Sequence, residues 1–222
     1  MKNRFELIVF DWDGTLMDSE ARIVDCIQRA AEDAEVAVPS NQAARDIIGL
    51  GLDEAIARLF PGAGEHAARD IVDAYRKHWL GNEIEEAVMF DGAHELISGL
   101  HQRGHLLGVA TGKSRRGLDK ALKQSGLGDF FHATRCADET FSKPHPQMLE
   151  EILTDLNTAA ANALVVGDTE YDMRMAQSAG VEAIGIGHGV HSIERLRDSG
   201  ASRCFADLFE LADWLLNSTD VR

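Results

Sequence analysis

The chain is poor in cysteine, in positive charge and in long apolar runs. Its three cysteines, Cys26, Cys136 and Cys204, stand far apart and make no CxxC pair. They point away from a disulfide framework and toward a reducing, cytoplasmic compartment. Lys plus Arg number 22 against 37 Asp plus Glu, a formal charge of −15 with a pI near 4.9. Phosphate surfaces repel such a chain, so a general nucleic-acid or anionic-membrane binder is not expected. A small anionic substrate held in a locally positive pocket remains compatible with it. No apolar run approaches the roughly 20 residues that cross a bilayer. The run at 7–10 is also too short for a signal peptide. Nine histidines are scattered without HxxxH or HExxH spacing, which argues against a zinc site. The glycines at 185, 187 and 189 lack GxGxxG spacing and follow a late strand, so a dinucleotide cradle is not expected there.

The 222 residues, 45% hydrophobic and 27% charged, have ordinary globular composition and ample length for a buried core. Leu7-Ile8-Val9-Phe10 is a short continuous apolar run that ends in Asp11. Such runs read as buried parallel strands. Similar ones recur at 106–110, 163–166 and 183–186, each followed by a polar or glycine-containing turn and a helical pattern. A weaker strand is read at 132–136. This repetition predicts an α/β fold with a Rossmann-like parallel sheet.

Residues 18–85 differ. They read as consecutive helices at 19–36, 40–48, 53–60 and 64–80, with Ser40 and Asp53 as N-caps. The expected organisation is an α/β core at 1–17 and 86–222 with an inserted helical cap at 18–85. The core resumes with a helix at 93–103, and the end of the chain, 217–222, is read as frayed.

Four polar groups lie at or just past strand ends, where open α/β sheets bind ligands. They are Asp11-Trp12-Asp13-Gly14-Thr15, Thr111-Gly112-Lys113-Ser114, Ser142-Lys143-Pro144, and Gly167-Asp168 through Asp172. If they converge, Asp11, Asp13 and Asp168 crowd negative charge at one point, which a hard divalent cation such as Mg²⁺ relieves. Lys143, the Thr111 hydroxyl and the backbone N–H groups of Gly112 and Lys113 then supply donors for a phosphoryl group. A spare carboxylate beside that group is a nucleophile able to form an aspartyl-phosphate.

These four motifs, in this order and with the helical insert after the first, resemble those of the haloacid dehalogenase superfamily, specifically its phosphoglycolate phosphatase-like members with the first cap type. The resemblance covers essentially the whole chain. It implies a Mg²⁺-dependent phosphatase acting on a small phosphorylated metabolite. Asp11 is then the nucleophile, and Asp13 protonates the leaving oxygen and later activates water. Thr111, Gly112 and Lys143 hold the phosphoryl oxygens. The Asp11 and Asp168 carboxylates and the Asp13 backbone carbonyl ligate the metal, and Asp172 orients the metal's water or Lys143. Gly14 permits the turn on which the cap hinges. Asp13 argues for phosphate chemistry, because dehalogenases of the same superfamily lack this second aspartate.

The loop at 49–52 resembles the family's cap loop that faces the site. Asp18, Arg22 and Arg45, and Lys113, Arg115 and Arg116, are candidates to approach the substrate, the last three near a carboxylate or second phosphate. Pyrophosphatase, nucleotidase and β-phosphoglucomutase-like activities are alternatives on the same core. A phosphoacceptor signalling module is a further alternative, opposed by chain length and by the acceptor's place after the first strand. The assembly is read as monomer or homodimer.

Overall fold

In the computed structural model, residues 4–81 and 88–217 are described. The expected core–cap boundary at 85/86 and the tail from 218 lie outside them. The first strand is β1 (Leu7–Phe10). It is followed by β2 (Met17–Asp18) and four helices: α1 (Glu20–Asp33), α2 (Asn41–Arg45), α3 (Leu52–Leu59) and α4 (Glu65–Leu80). Then come β3 (Val88–Met89), α5 (Ala93–Gln102), β4 (Leu106–Thr111), α6 (Arg115–Ser125), β5 (Ala133–Cys136) and α7 (Gln147–Asp155). The chain closes with β6 (Ala163–Gly167), α8 (Glu170–Ser178), β7 (Glu182–Ile186), α9 (Ile193–Asp198), β8 (Arg203–Phe205) and α10 (Leu208–Asn217).

Six strands form one parallel sheet in the order β5-β4-β1-β6-β7-β8. Strand side chains alternate faces, and β1 shows it cleanly. Ile8 and Phe10 pack with α5, α6 and α10 through Leu96, Leu118 and Trp214, whereas Leu7 and Val9 pack with α7 and α8 through Met148 and Met173. Both faces are therefore apolar, which is why the strand is a continuous hydrophobic run rather than an alternating one. All four β1 residues are fully buried. Each such side chain contributes about 1.5–3 kcal/mol of transfer free energy.

Later strands are added on both sides of β1. The neighbours β4 and β6 lie on either side, so the carboxyl end of β1 is the topological switch point where such sheets open a crevice. The helical insert departs and returns beside this crevice through the antiparallel β2–β3 ribbon. Its helices bury their own clusters. Ile23, Val24 and Ile27 of α1 meet Ile47, Ile48 and Ala55, while Ala30 meets Ile56, Ile71 and Val72. The spacing of the buried α1 residues Ile23, Cys26, Ile27, Ala30 and Ala31 is that of one helix face.

The structure meets one local capping expectation and corrects another. Ser40 does cap α2, its hydroxyl accepting from the Ala43 N–H at 3.2 Å. Asp53 does not cap α3. Gly51 occupies that position, and Asp53 sits in the first turn, where its charge still favours the helix N-terminus. Strand β8 and the β2–β3 ribbon carry no sequence signal of comparable strength to the core runs. The three cysteines are free thiols, with Cys26 and Cys136 buried.

Candidate active site

Asp11 directly follows β1, Thr111 ends β4, and Asp168 follows Gly167 at the end of β6. Three adjacent parallel strands thus deliver their first polar side chains to one crevice. Lys143 arrives from the β5–α7 connection, and Asp172 from the first turn of α8. All five side chains are buried, none more than 2% exposed as residues.

Lys143 is the centre of the charge arrangement. Its ammonium lies 2.9 Å from Asp11 Oδ1 and donates to Asp172 Oδ1 at 2.6 Å. The other Asp172 oxygen accepts from the Thr169 N–H and hydroxyl at 3.1 and 2.7 Å, a capping box at the start of α8. Asp168 Oδ1 accepts from the Thr15 hydroxyl at 2.7 Å, and Oδ2 from the Val190 N–H at 2.9 Å. Asp11 Oδ1 also accepts from the Trp12 N–H at 2.6 Å, whereas its buried Oδ2 has no hydrogen-bond partner.

One ammonium contacts two of the three carboxylates, Asp11 and Asp172. Burial pushes the Asp11 carboxyl well above the usual range; Lys143 opposes this, and Asp172 and Asp168 add to it. Burial likewise pushes Asp168 up to about 7, reinforced by Asp172 and opposed by the Val190 and Thr15 donors. Burial acts to lower Lys143, but Asp11 and Asp172 outweigh it and hold the ammonium charged. A further positive charge is what this cluster wants.

Asp11, Asp168 and Asp172 each present an oxygen such that all three lie within 4.8 Å of one another. The donors are hard oxygens, one of them orphaned and buried, so the group fits a Mg²⁺-like cation. The Asp13 carboxylate is not part of this cluster. Its Oδ1 accepts instead from the Ser19 hydroxyl at 2.5 Å and from Lys113 Nζ at 2.8 Å. Of the two partners expected for Asp172, the metal's water or Lys143, the structure shows direct contact with Lys143.

Glycines make the closeness possible. Gly14 has φ +82°, and a Cβ there would lie 2.2 Å from Asp168 Oδ2. The glycine expected as a hinge is thus also required by its contact with Asp168. A Cβ on Gly112 would lie 2.4 Å from the Leu50 carbonyl oxygen, so the insert's 49–51 loop is seated on the second motif. The Gly51 N–H donates to the Ser142 hydroxyl at 2.7 Å, next to Lys143. On the other side, the Tyr171 hydroxyl donates to the Asp46 carbonyl at 2.6 Å, and Arg195 joins Asp46 of the insert to Glu170 of α8.

The other candidate cations separate. Arg115 is engaged by Glu139, Asp119 and Thr134, and Arg45 by Glu20, so neither is available to the crevice. Arg116 is solvent-exposed, as is Asp18. Lys113 and Arg22 remain on the crevice side. Two participants carried no assigned role in the sequence: Ser19, which holds Asp13, and Thr15, which holds Asp168. Thr15 lies inside the first motif; Ser19 shows only as a serine at the start of a helix.

A parallel α/β sheet with an insert after its first strand, and acid–lysine chemistry at the switch point, defines a class. The chain belongs to the haloacid dehalogenase-like hydrolases, whose family model matches residues 8–186. Within that family it is an enzyme similar over nearly its whole length to a phosphoglycolate phosphatase of Rhodospirillum rubrum, 30% identical over 94% of this chain and 90% of that one. It is also 32% identical to the probable phosphatase IndB of Dickeya dadantii, over 86% of this chain and 85% of the relative. The fold is shared with the crystal structure of a hydrolase from Pseudomonas syringae, at a TM-score of 0.86 and 21% identity, covering 95% of this chain and 97% of that one. No described helix is long and apolar enough to cross a membrane.

Proposed function

We propose that this hydrolase is a Mg²⁺-dependent phosphatase, phosphoglycolate phosphatase-like, that cleaves a small phosphate monoester through an aspartyl-phosphate on Asp11. The observation that carries the reading is the buried, unpartnered Asp11 Oδ2 within the Asp11–Asp168–Asp172 cluster. A carboxylate oxygen kept free of donors, next to a lysine and a hard-cation site, supports the reading of Asp11 as a nucleophile over a purely structural one.

In this reading Asp11 attacks phosphorus in line, and the ester P–O bond breaks with its electron pair passing to the leaving oxygen. Asp13 gives that oxygen a proton, then takes one from the water that attacks the aspartyl-phosphate and releases the Asp11 carboxylate. Ser19 and Lys113 hold the Asp13 carboxylate in position for both transfers. Thr111, the Gly112 N–H and Lys143 hold the phosphoryl oxygens. Asp11 and Asp168, with the Asp13 backbone carbonyl, would hold Mg²⁺, and Asp172 keeps Lys143 oriented. The cation, when bound, neutralises charge on the transferring group. The helical insert acts as a cap at 18–85, its 49–51 loop excluding water when seated on the second motif.

The test is phosphate release from 2-phosphoglycolate, nucleoside monophosphates, sugar phosphates and pyrophosphate, with Mg²⁺ and with EDTA. Turnover lost in EDTA and abolished in Asp11→Asn is the expected result. No release from any of them by folded protein in Mg²⁺ would overturn the reading.

A further inference from the structure

The glycine-containing stretch at 187–191, which makes no dinucleotide cradle, connects β7 to α9 and lies against Asp168. The Val190 N–H donates to Asp168 Oδ2 at 2.9 Å, and the His191 N–H to the Asp168 carbonyl at 3.2 Å. A Cβ on Gly189 would lie 2.3 Å from both Asp168 Cβ and Oδ2, so the loop backbone rests directly on that side chain. The Thr15 hydroxyl donates to the other carboxylate oxygen at 2.7 Å. Asp168 is thus set from two sides, by this loop and by the turn that follows β1.

The same loop reaches the insert and its hinge. His188 Nε2 lies 3.1 Å from the Thr15 carbonyl. A carbonyl only accepts, so His188 carries a proton on Nε2 and donates it there. The His188 ring stacks on Phe90, with ring centres 3.8 Å apart and planes inclined by 19°. Phe90 directly follows β3, where the chain returns from the insert to the core, and its N–H donates to the Leu16 carbonyl at 2.9 Å. Two residues beyond His188, Val190 packs against the insert's own cluster of Ile23, Ile47 and Leu50. One five-residue loop therefore touches the hinge, the insert and a carboxylate of the cation site.

We infer that His188 is a positioning residue that ties the hinge at Phe90 to the Thr15 turn and so fixes the Asp168 carboxylate toward the cation. Groups that orient a metal's ligands tune its affinity. Because the insert and Asp168 bias the same loop, insert position and cation affinity are linked, and the linkage is reciprocal. The inference rests on the proposed Mg²⁺-dependent phosphatase reading and adds a coupling that the reading does not itself require.

The experiment titrates Mg²⁺ into the EDTA-stripped full chain by calorimetry, in parallel with phosphate release from 2-phosphoglycolate. His188→Ala removes both the stack and the donor, and is expected to weaken Mg²⁺ binding about tenfold. His188→Gln keeps an N–H for the Thr15 carbonyl and loses the ring, so about threefold is expected. Phe90→Leu leaves every carboxylate of the site untouched and should also cost about threefold, through the lost stack alone. It tests the link even if His188→Ala misfolds. The double variant Phe90→Leu/His188→Ala should bind no more weakly than His188→Ala, since the stack is already gone. Wild-type affinity in Phe90→Leu, losses that add in the double variant, or His188→Gln no better than His188→Ala would each overturn the link. Turnover by a wild type whose variants all bind Mg²⁺ equally would sink the positioning role and keep the phosphatase reading. The expected binding losses in a protein that releases no phosphate would do the reverse. A wild type that binds no Mg²⁺ would overturn both.

Discussion

Replacing Lys143 by methionine is the most informative perturbation of the cluster. Methionine keeps much of the volume and removes the ammonium that lies 2.9 Å from Asp11 and 2.6 Å from Asp172. Removing one partner of a buried ion pair typically costs about 3–5 kcal/mol, because the remaining charge is left unsolvated. Here one cation serves two acids whose side chains are at most 1% exposed, so the upper half of that range applies. With a urea slope of about 2–3 kcal/mol/M, this is a midpoint shift of about 1.3–2.5 M. The assay is urea unfolding in EDTA, which keeps adventitious cations from substituting for the lysine. The double variant Lys143→Met/Asp172→Asn removes one of the stranded charges. Its asparagine oxygen still accepts from Thr169, so it should regain about 1–2 kcal/mol over the single variant. A Lys143→Met protein within about 1 kcal/mol of wild type, or a double variant no better than the single, would refute the account of Lys143 as the counterion of this cluster.

Other expectations are narrower. Gly14→Ala places a Cβ 2.2 Å from Asp168 Oδ2 at φ +82°; phosphate release should fall about 10²-fold from displacement of Asp168, with about 1–2 kcal/mol lost to the backbone conformation, and unchanged turnover would contradict the packing argument. Arg195→Gln breaks the bridge between Asp46 and Glu170, and because Arg195 is one-third exposed the loss should be below about 1 kcal/mol and fade in high salt; thermal melts at two ionic strengths check it. Burial lowers the pKa of His105 despite its hydrogen bond to the Phe5 carbonyl. Its folded-state value lies below the unfolded one, so its contribution is intact above about pH 6.5 and declines as pH falls and the unfolded chain takes up the proton first. The stability gap between wild type and His105→Gln should therefore narrow from pH 7.5 to 5.5 in urea titrations; a constant or widening gap would count against it.

Much of the candidate site is legible in the sequence. In a doubly wound sheet the ligand crevice lies at strand carboxyl ends, so the first polar residue after each apolar run is a candidate by position. Asp11, Thr111 and Asp168 stand out in that way, and β1, β4, β6 and β7 are plain because strands covered on both faces become uninterrupted hydrophobic runs. Strand β8 is not, since three residues at a sheet edge, one of them exposed Arg203, carry too little apolar signal to stand out. Asp53 satisfies the chemistry of an α3 cap, yet the turn geometry puts Gly51 there.

The pairings belong to the tertiary structure. Nothing in local sequence tells Lys113 from Arg115, yet Asp138, Glu139 and Thr134 hold Arg115 at one end of the α6 turn while Lys113 reaches Asp13, 100 residues away. The Asp13 side chain, expected near the metal set, turns to Ser19 and Lys113. Asp172 stands in the carboxylate cluster because α8 starts against β6. Sequence determined which chemical groups stand at the ends of which strands, because hydrophobic periodicity and turn chemistry are local. Only the fold decided which groups share a charge, because Coulomb interaction and desolvation depend on distances in space, and the chain brings those residues together from opposite ends of its length.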